Sequence, residues 1–329
     1  MKKILITVAL LLSFALCFSV LAGWWFPRSD SIDEPDLPGA VEVGSILHQG
    51  LRRTWRTYVP STKTDNSPLL LLLHGSRGDG QRMRSKTTFY NFDELAEREG
   101  FLVVYPDGYE QHWNDCRATA SYTANLENID DVSFLGSLVR LLSADHGVDP
   151  SQVYVAGMSN GGHMAYRLGF EAPDLVAGIA AIAANIPVDE HMDCERSGNA
   201  VSVIIINGTE DPINPYHGGT VELFGDTSRG DVMSAAATAD YWSKMAGYKE
   251  AGTQYSWPQR TPADGTTVES TEWSNPGQKP IALVSILGGG HTVPNLKYDM
   301  PRIIGTTSHQ LSGAEVIWSF FRGRDLVEP

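Results

Sequence analysis

The stretch Val153-Tyr154-Val155-Ala156-Gly157-Met158-Ser159-Asn160-Gly161-Gly162 places a short apolar run directly before a segment with helical spacing. The pattern Gly-x-Ser-x-Gly in this context predicts a buried strand, a tight turn and a helix, in that order. A side chain at Gly157 or Gly161 would collide with the backbone of so tight a turn, which is why glycines flank the serine. The turn would hold the Ser159 hydroxyl clear of the sheet, at the positive end of the following helix. Ser159 is therefore the predicted nucleophile.

Two further strand ends carry the groups that activate a serine. The apolar run 201–206 leads into a turn that contains Asp211, and the run 281–287 leads into three glycines and His291. A serine hydroxyl needs a base to accept its proton and an acid to orient that base. The chain order serine, acid, histidine, each at the end of a strand, is that of the α/β-hydrolase fold. We therefore predict that Asp211 is the acid and His291 is the base.

Other polar residues near these motifs have competing interpretations. Glu210 stands beside Asp211 and is the rival acid, although the Asp-Pro turn favours Asp211. His163 lies one helical turn past the nucleophile, so we expect its side chain to point away from the serine hydroxyl and to pack or lie at the surface. Asp130 and Asp131 precede a helical pattern and are expected to cap that helix.

A glycine-rich loop follows the leucine run 69–73 and begins with His74-Gly75-Ser76. In α/β-hydrolases a strand that ends in this way supplies one backbone amide to the oxyanion hole, and the residue after the nucleophile supplies the other. The predicted donors are therefore the amides of Ser76 and Asn160. Each such donor typically contributes about 3 to 4 kcal/mol of transition-state stabilisation. His74 is expected to fix the loop by hydrogen bonds, because a second histidine base is unnecessary.

The composition is typical of a single secreted globular domain. The chain has 329 residues, of which 42% are hydrophobic and 9% aromatic, enough for a large core. Its 39 acidic and 25 basic residues give a net charge of −14, which argues against nucleic acid or an anionic membrane as a partner. The nine histidines show no metal-ligand spacing, so neither a metal nor another cofactor is expected.

The N-terminal region has the pattern of a signal peptide followed by a tether. Residues 1–22 contain two lysines, an apolar stretch and Val20-Leu21-Ala22, so cleavage is expected after Ala22. The alternative is an uncleaved membrane anchor, since the apolar run is nearly long enough to span a bilayer and Trp24-Trp25-Phe26 could lie at its interface. Residues 23–40 contain prolines and acids and are predicted to be a mobile tether. The catalytic domain would then comprise residues 41–329.

Two cysteines remain after removal of this segment, Cys116 and Cys194. A chain exported to an oxidising compartment is expected to pair them in a disulfide, with two free thiols as the alternative. Such a bond would tie together two segments that border the predicted site and would hold loops.

Strand and helix patterns alternate along the remaining chain, which predicts an α/β fold whose mostly parallel sheet has helices on both faces. Strands are predicted at 54–59 as an edge strand, and at 69–73, 101–105, 176–183, 201–206 and 281–287; helices are predicted at 92–99, 232–245 and 312–321.

These motifs together resemble the secreted esterases of the polyhydroxybutyrate depolymerase and feruloyl esterase type, within the α/β-hydrolases. The resemblance extends from about Arg53 to Phe321. It is carried by His74-Gly75, Tyr105-Pro106-Asp107-Gly108, Trp113-Asn114, Ile129-Asp130-Asp131-Val132, residues 157–162, Gly208-Thr209-Glu210-Asp211, Pro215-Tyr216-His217-Gly218-Gly219 and residues 288–292. It implies ester hydrolysis through an acyl-enzyme, with the same triad and amide donors as above.

Three departures from the family pattern bear on the substrate. Val293 stands where the family usually has a tryptophan, Ser76 stands where many relatives have a cysteine, and no polymer-binding module follows Phe321. The last point favours feruloyl or related plant-wall esters, with polyhydroxybutyrate or hydroxyalkanoate oligomers as the alternative. Trp113 and Tyr216 are candidate walls of the substrate pocket, and packing of the site loops is their alternative role. A peptidase or amidase and a non-catalytic surface-binding protein are the alternatives of other classes.

Overall fold

The computed structural model describes residues 30–260 and 264–326 of the chain. The predicted signal peptide, residues 1–22, and residues 23–29 of the predicted tether lie outside the described residues. Within the described ranges, no helix combines the length and the apolar character that a bilayer crossing requires.

Strands and helices alternate along most of the described chain. The strands are β1 (Ala40–His48), β2 (Leu51–Val59), β3 (Ser67–Leu73), β4 (Leu102–Pro106), β5 (Val148–Met158), β6 (Gly178–Ile182), β7 (Ser202–Gly208), β8 (Gly219–Thr220), β9 (Asp231–Val232), β10 (Thr253–Ser256), β11 (Thr267–Trp273) and β12 (Ile281–Leu287). The α-helices are α1 (Gly80–Arg82), α2 (Asn91–Glu99), α3 (Thr123–Leu126), α4 (Asp131–His146), α5 (Asn160–Glu171), α6 (Ala235–Met245) and α7 (Gly313–Phe321); single turns of other helix types lie at Met83–Thr87, Asp189–His191 and Arg302–Ile304.

Ten of these strands form one sheet in the order β1-β2-β4-β3-β5-β6-β7-β12-β11-β10. The six central strands, from β4 to β12 in that order, run parallel, and the strands outside them pair antiparallel. The carboxyl ends of parallel strands meet at one edge of a sheet, where α/β folds place their sites. The loops after β3, β5, β7 and β12, which carry the predicted site residues, therefore gather at that edge.

The central strands are apolar because helices cover both faces of the sheet. Along β3, Leu69, Leu71 and Leu73 belong to one core layer while Leu70 and Leu72 belong to the other, all without exposure to solvent. Helices α4, α5 and α6 contribute to the first layer, and α2 and α7 contribute to the second. Burial of each leucine side chain contributes about 1.5 to 3 kcal/mol to stability. A strand covered on both faces has no polar face, which explains the unbroken leucine run.

This architecture confirms the predicted α/β fold with a mostly parallel sheet and helices on both faces. The predicted edge strand at 54–59 lies within β2, but it is not at the edge, because β1 pairs with β2 along its whole length. The pattern analysis also missed β11. Its buried positions include Val268 and Ser270, so a polar residue on the core side hides the alternation.

Residues 30–39 are docked on the domain, which corrects the prediction of a mobile tether for this part of the chain. Ile32 and Leu37 pack against the core layer of α2 and α7. The Lys86 ammonium donates a hydrogen bond to the Ser31 hydroxyl at 2.6 Å. Burial of these two apolar side chains opposes the loss of chain entropy, and an ion pair between Arg84 and Glu34 adds a further link to the domain.

Candidate active site

Ser159 lies in the sharp turn between β5 and α5, and its backbone is strained. Its φ of 55° and ψ of −120° are values that residues with a Cβ rarely adopt. A Cβ at Gly157 would lie 2.2 Å from the carbonyl oxygen of Gly161, and one at Gly161 would lie 2.3 Å from that of Leu73. Both positions therefore require glycine. The Ser159 amide donates to the carbonyl oxygen of Ile182 on β6 at 2.8 Å, which ties the turn to the sheet.

Asp211 and His291 are in direct contact although 80 residues separate them in the chain. The Nδ1 atom of His291 lies 2.7 Å from Oδ2 of Asp211, and because a carboxylate only accepts, the ring donates its Nδ1–H. The other oxygen, Oδ1, accepts from the backbone amides of Ile213 and Asn214, each at 2.8 Å. Glu210 is exposed to solvent and its side chain makes no such contact among the described residues. The structure thus brings Asp211, rather than its neighbour, to the histidine.

Glycines allow the two loops to approach this closely. A Cβ at Gly208, the last residue of β7, would lie 2.3 Å from the carbonyl oxygen of Gly289 in the histidine loop. A Cβ at Gly290 would lie 2.4 Å from the Cα of Gly305. The backbone amide of His291 donates to the carbonyl oxygen of Ile304 at 2.7 Å, which holds the histidine loop in place.

Ser159 and His291 both line a cavity of about 300 Å³ at this edge of the sheet. Its walls combine apolar side chains with polar and basic ones. The apolar members are Met83, Met158, Ile213, Val221, Leu223, Phe224, Met300, Pro301 and Ile304. Volume and lining suit a small organic molecule with an apolar body and few polar groups.

The two predicted amide donors belong to segments that meet at the nucleophile. A Cβ at Gly75 would lie 3.4 Å from the Ser159 Cβ, and Ser76 lines the same cavity. Asn160 is the first residue of α5, where a helix has no internal acceptor for the backbone amide. The loop after β3 and the start of α5 therefore flank Ser159.

The Asn160 side chain anchors a buried polar network that the sequence analysis did not single out. Its Oδ1 accepts from the Trp113 amide at 2.8 Å, and its Nδ2 donates to the Asp115 carboxylate at 2.6 Å. Arg117 forms an ion pair with the same carboxylate at 2.5 Å. Burial raises the pKa of the Asp115 carboxyl, but the Arg117 charge and several hydrogen bonds outweigh it and lower the pKa to about 2. The network holds the first residue of α5 in a fixed position.

His74 fixes the loop after β3, in the role expected from the sequence. Its ring contacts the Gly75 carbonyl oxygen through Nδ1 at 2.8 Å and accepts from the Gly108 amide through Nε2 at 2.9 Å. Burial lowers the pKa of the His74 imidazole to about 4. A neutral ring that donates with one nitrogen and accepts with the other satisfies both bonds.

Trp113 and Tyr216 do not line the cavity, which corrects their prediction as walls of the substrate pocket. Trp113 is fully buried and its Nε1 donates to the His74 carbonyl oxygen at 3.0 Å. The Tyr216 hydroxyl lies 2.6 Å from the Ser285 hydroxyl. Both side chains pack the loops around the site, which is the alternative role. The aromatic ring that does line the cavity belongs to Phe224, on the loop between β8 and β9.

Cys116 and Cys194, which are 78 residues apart in the sequence, form a disulfide. Cys116 directly follows Asp115, so the bond lies beside the network that holds Asn160. The disulfide therefore connects the segment around Cys194 to the network that holds the start of α5.

Asp130 and Asp131 have different roles. Asp130 caps α4, because its side chain accepts from the Ser133 amide at 2.9 Å. Asp131 does not cap the helix, which corrects that prediction. Its carboxylate is buried, binds the Arg53 guanidinium at 2.6 Å and accepts from the Asn114 amide at 2.8 Å. It links β2 and the loop after β4 to α4.

His163 is buried and lines the same cavity as Ser159, so the surface interpretation is wrong and its side chain is not remote from the site. Asn214 and Arg229 line the cavity as well, and neither was predicted from the sequence. These three residues come from α5, the loop after β7 and the loop before β9. His163 and Asn214 lie directly beside motifs quoted above, but no motif shows that their side chains face the cavity, and only the packing of three distant segments brings the three residues together.

The parallel sheet, the strained serine turn and the contact between Asp211 and His291 at the strand ends define a hydrolase of the α/β-hydrolase fold. Over residues 54–243, more than half of its length, the chain matches the family described as Esterase PHB depolymerase. It belongs to that family of carboxylic ester hydrolases.

Individual relatives are esterases by name. The chain is 29% identical over 267 residues to a protein of Nocardia uniformis subsp. tsuyamanensis named as a presumed esterase, NocK, and the match covers 79% of this chain and 75% of that protein. It is 28% identical over 233 residues to feruloyl esterase B of Piromyces equi, covering 68% of this chain but only 39% of that one. Among solved structures, the acetyl xylan esterase of Aspergillus awamori has the same fold, with a TM-score of 0.52, 18% identity and coverage of 77% of this chain and 95% of that one.

Proposed function

We propose that this protein is an exported serine carboxylic ester hydrolase that works through a covalent acyl-enzyme. Ser159 is the nucleophile, His291 is the base and Asp211 is the acid that orients it. One observation carries the proposal, the 2.7 Å contact between His291 and Asp211 beside a cavity that Ser159 also lines. Membership of an esterase family supports the same reaction.

The reaction proceeds in two similar halves. Because Nδ1 of His291 donates to Asp211, its Nε2 is free to accept the Ser159 proton. The serine oxygen then bonds to the ester carbonyl carbon, and the amides of Ser76 and Asn160 stabilise the negative charge that moves to the carbonyl oxygen. Cleavage of the bond to the alcohol oxygen releases the alcohol, which takes the proton from His291. Water repeats these steps on the acyl-enzyme, releases the acid and restores Ser159.

Feruloyl or related plant-wall esters are the proposed substrates. The relative named feruloyl esterase B and the aromatic ring of Phe224 in the cavity wall support this choice. Hydroxyalkanoate oligomers are the second candidate. The aliphatic and thioether side chains that dominate these walls favour them, as does the family description.

Export from the cytoplasm is part of the proposal. It rests on the signal-peptide pattern of residues 1–22 and on the disulfide between Cys116 and Cys194, since disulfides persist in oxidising compartments. The catalytic domain then follows the N-terminal segment as one unit.

Ser159→Ala tests the reaction class with nitrophenyl acetate. We expect the variant to lose at least about a thousandfold in kcat/KM, because no other group supplies the nucleophile. Ser151→Ala, which changes an exposed serine away from the cavity, should leave the rate unchanged. A folded wild-type protein that is inactive on every short ester would overturn the proposal.

The substrate class is tested by comparing release from methyl ferulate with release from a 3-hydroxybutyrate oligomer. Ferulate release that Ser159→Ala abolishes supports a phenolic esterase, whereas oligomer cleavage alone supports the second candidate. A panel of peptide nitroanilides measured in parallel detects a peptidase or amidase.

A further inference from the structure

The charged side chains that line the cavity beside Ser159 are basic, although the protein is strongly acidic. The whole chain has 39 acidic and 25 basic residues. The charged residues that line the described cavity are nevertheless all basic, and they are Arg82, Lys86, Arg117 and Arg229. Three of them pair with carboxylates that do not line the cavity, Asp79, Asp115 and Asp226, so individual donors rather than net charge distinguish this site.

Arg229 differs from the other three because it is buried and one of its N–H donors has no hydrogen-bond partner among the described residues. Arg117 is compensated by Asp115, with both side chains buried. Arg82 and Lys86 are bound at the rim, to Asp79 and to Ser31. Among these four cations, Arg229 is the buried one that keeps an unpaired donor.

One side of the Arg229 guanidinium is engaged and the other is not. Its Nη1 donates to the Asp226 carboxylate at 2.5 Å, and that carboxylate is partly exposed. Its Nε lies in the interior and has no hydrogen-bond partner among the described residues, although only 5% of the residue is exposed. A buried donor without a partner is destabilising, because it has lost its hydrogen bonds to water without replacing them. The Nε side of a guanidinium matches the two oxygens of a carboxylate.

Asn214 supplies a second buried polar group in the same cavity. It is 2% exposed, its side chain interacts with that of His163, and no other hydrogen-bond partner of its Nδ2 or Oδ1 lies in the described structure. Its position is well defined, because its backbone amide is held by the Asp211 oxygen that faces away from His291. His163, whose side chain interacts with that of Asn214, lines the cavity as well. An amide side chain has two donors and an acceptor oxygen, so Asn214 keeps hydrogen-bonding capacity for a polar ligand.

We propose that Arg229 and Asn214 bind a free carboxylate on the ester substrate, so that the enzyme prefers esters with an anionic end. The inference rests on the proposed ester hydrolysis at Ser159. The carboxylate accepts the Nε–H of Arg229 and an Nδ2–H of Asn214, while the apolar walls contact the remainder of the substrate. The carboxylate belongs either to the acyl part or to the alcohol part, as in an oligomer of hydroxy acids.

The test compares paired esters that differ in one charge. For the acyl part, mono-p-nitrophenyl glutarate is compared with p-nitrophenyl valerate; for the alcohol part, the butyryl ester of 3-hydroxybutyrate is compared with the methyl ester of the same compound. We expect kcat/KM to be at least tenfold higher for the anionic member of one pair. Arg229→Met and Asn214→Ala should remove most of that preference while the neutral ester is still hydrolysed.

A matched control separates a specific contact from a general charge effect. Arg196→Met removes an arginine that also pairs with an aspartate, Asp189, but lies outside the cavity, and it should leave the preference unchanged. If Arg229→Met fails to fold, competitive inhibition of wild-type valerate hydrolysis by free glutarate replaces it, with valeramide as the uncharged comparison.

The outcomes distinguish the two proposals. Hydrolysis of the neutral esters without an anionic preference in either pair overturns the carboxylate site and leaves the esterase assignment standing. The same holds if Arg229→Met leaves the preference intact or if glutarate inhibits no better than valeramide. Absence of hydrolysis of all four esters by folded protein overturns the esterase assignment itself.

Discussion

At the scale of single residues, the Asp211 carboxylate combines two tasks. One oxygen contacts His291, and the other accepts two backbone amides of its own loop. The second task fixes the carboxylate so that it can hold the imidazole in one orientation and one tautomer. An adjacent residue on the same turn faces solvent, so the difference between Asp211 and Glu210 arises from the direction of the side chain.

Asp211→Asn and Glu210→Gln form a matched pair of substitutions. Asparagine keeps the shape but offers no charge to the imidazolium and can stabilise the wrong tautomer, so we expect kcat for nitrophenyl acetate to fall by about 10³ to 10⁴. Glu210→Gln should stay within twofold of the wild type. Comparable losses in the two variants would show that the contact between Asp211 and His291 is not what matters in turnover.

His74 and His163 are buried residues that resist protonation. Burial lowers the pKa of His74 to about 4; burial, assisted by the Arg117 charge, lowers that of His163 to about 3. The unfolded chain has its histidine pKa values near 6.5, so below that pH the unfolded state binds protons that the folded state excludes. Stability is therefore lost as the pH falls from 6.5 toward 4.

The expected acid effect is large enough to measure. From pH 7 to pH 5 each of the two histidines lowers the free energy of unfolding by about 2 kcal/mol. Urea denaturation of the wild type and of His163→Gln at both pH values checks this. The variant should lose about 2 kcal/mol less than the wild type over this interval, and an identical loss in both proteins contradicts the linkage.

At the scale of elements, the turn between β5 and α5 depends on backbone packing without side chains. Gly157 lies against the backbone of the first turn of α5, and Gly161 lies against the backbone at the end of β3. The strain at Ser159 is held in place by these contacts and by the hydrogen bond to β6. The geometry of the nucleophile is therefore a property of the strand, turn and helix together.

Gly157→Ala should disrupt this element, because the new Cβ would lie 2.2 Å from a carbonyl oxygen. We expect a loss of about 3 kcal/mol in stability together with most of the activity. Gly136→Ala in α4 is the control, since its Cβ would meet nothing nearer than 3.5 Å. That change should raise stability by about 0.5 to 1 kcal/mol. Thermal unfolding and nitrophenyl acetate turnover of both variants measure the contrast.

At the scale of the whole molecule, long-range links connect the segments around the site to distant parts of the chain. The disulfide joins Cys116 to Cys194, and the docked segment 30–39 contacts the surface near Lys86 at the cavity rim. Neither link belongs to the sheet, yet both end beside residues of the candidate site. The stability of the site is therefore coupled to segments that are distant in sequence.

Replacement of both cysteines by serine should lower the free energy of unfolding by about 2 to 4 kcal/mol, since the crosslink restricts the unfolded chain. Urea denaturation of the double variant checks this value, and reduced wild-type protein should behave in the same way. Unchanged stability of both would contradict a structural role for the bond.

Much of the fold could be predicted because it depends on local patterns. The runs 69–73, 201–206 and 281–287 are apolar over the length of a strand, and glycines mark the turns that follow them. β1 and β11 were not predicted because these strands lack a clean alternation of buried apolar and exposed polar residues: Val43 and Leu47 of β1 are exposed, whereas Ser270 of β11 is buried.

The sequence by itself determined the order of the strands and helices and the placing of Ser159, Asp211 and His291 at strand ends, because hydrophobic period and glycine spacing are local properties of the chain. Only the tertiary structure decided which side chains face the cavity. Trp113 is buried beneath a loop, while Arg229 and Asn214 line the cavity with buried hydrogen-bond donors. Side-chain direction in loops depends on packing between segments far apart in the chain, which no local pattern records.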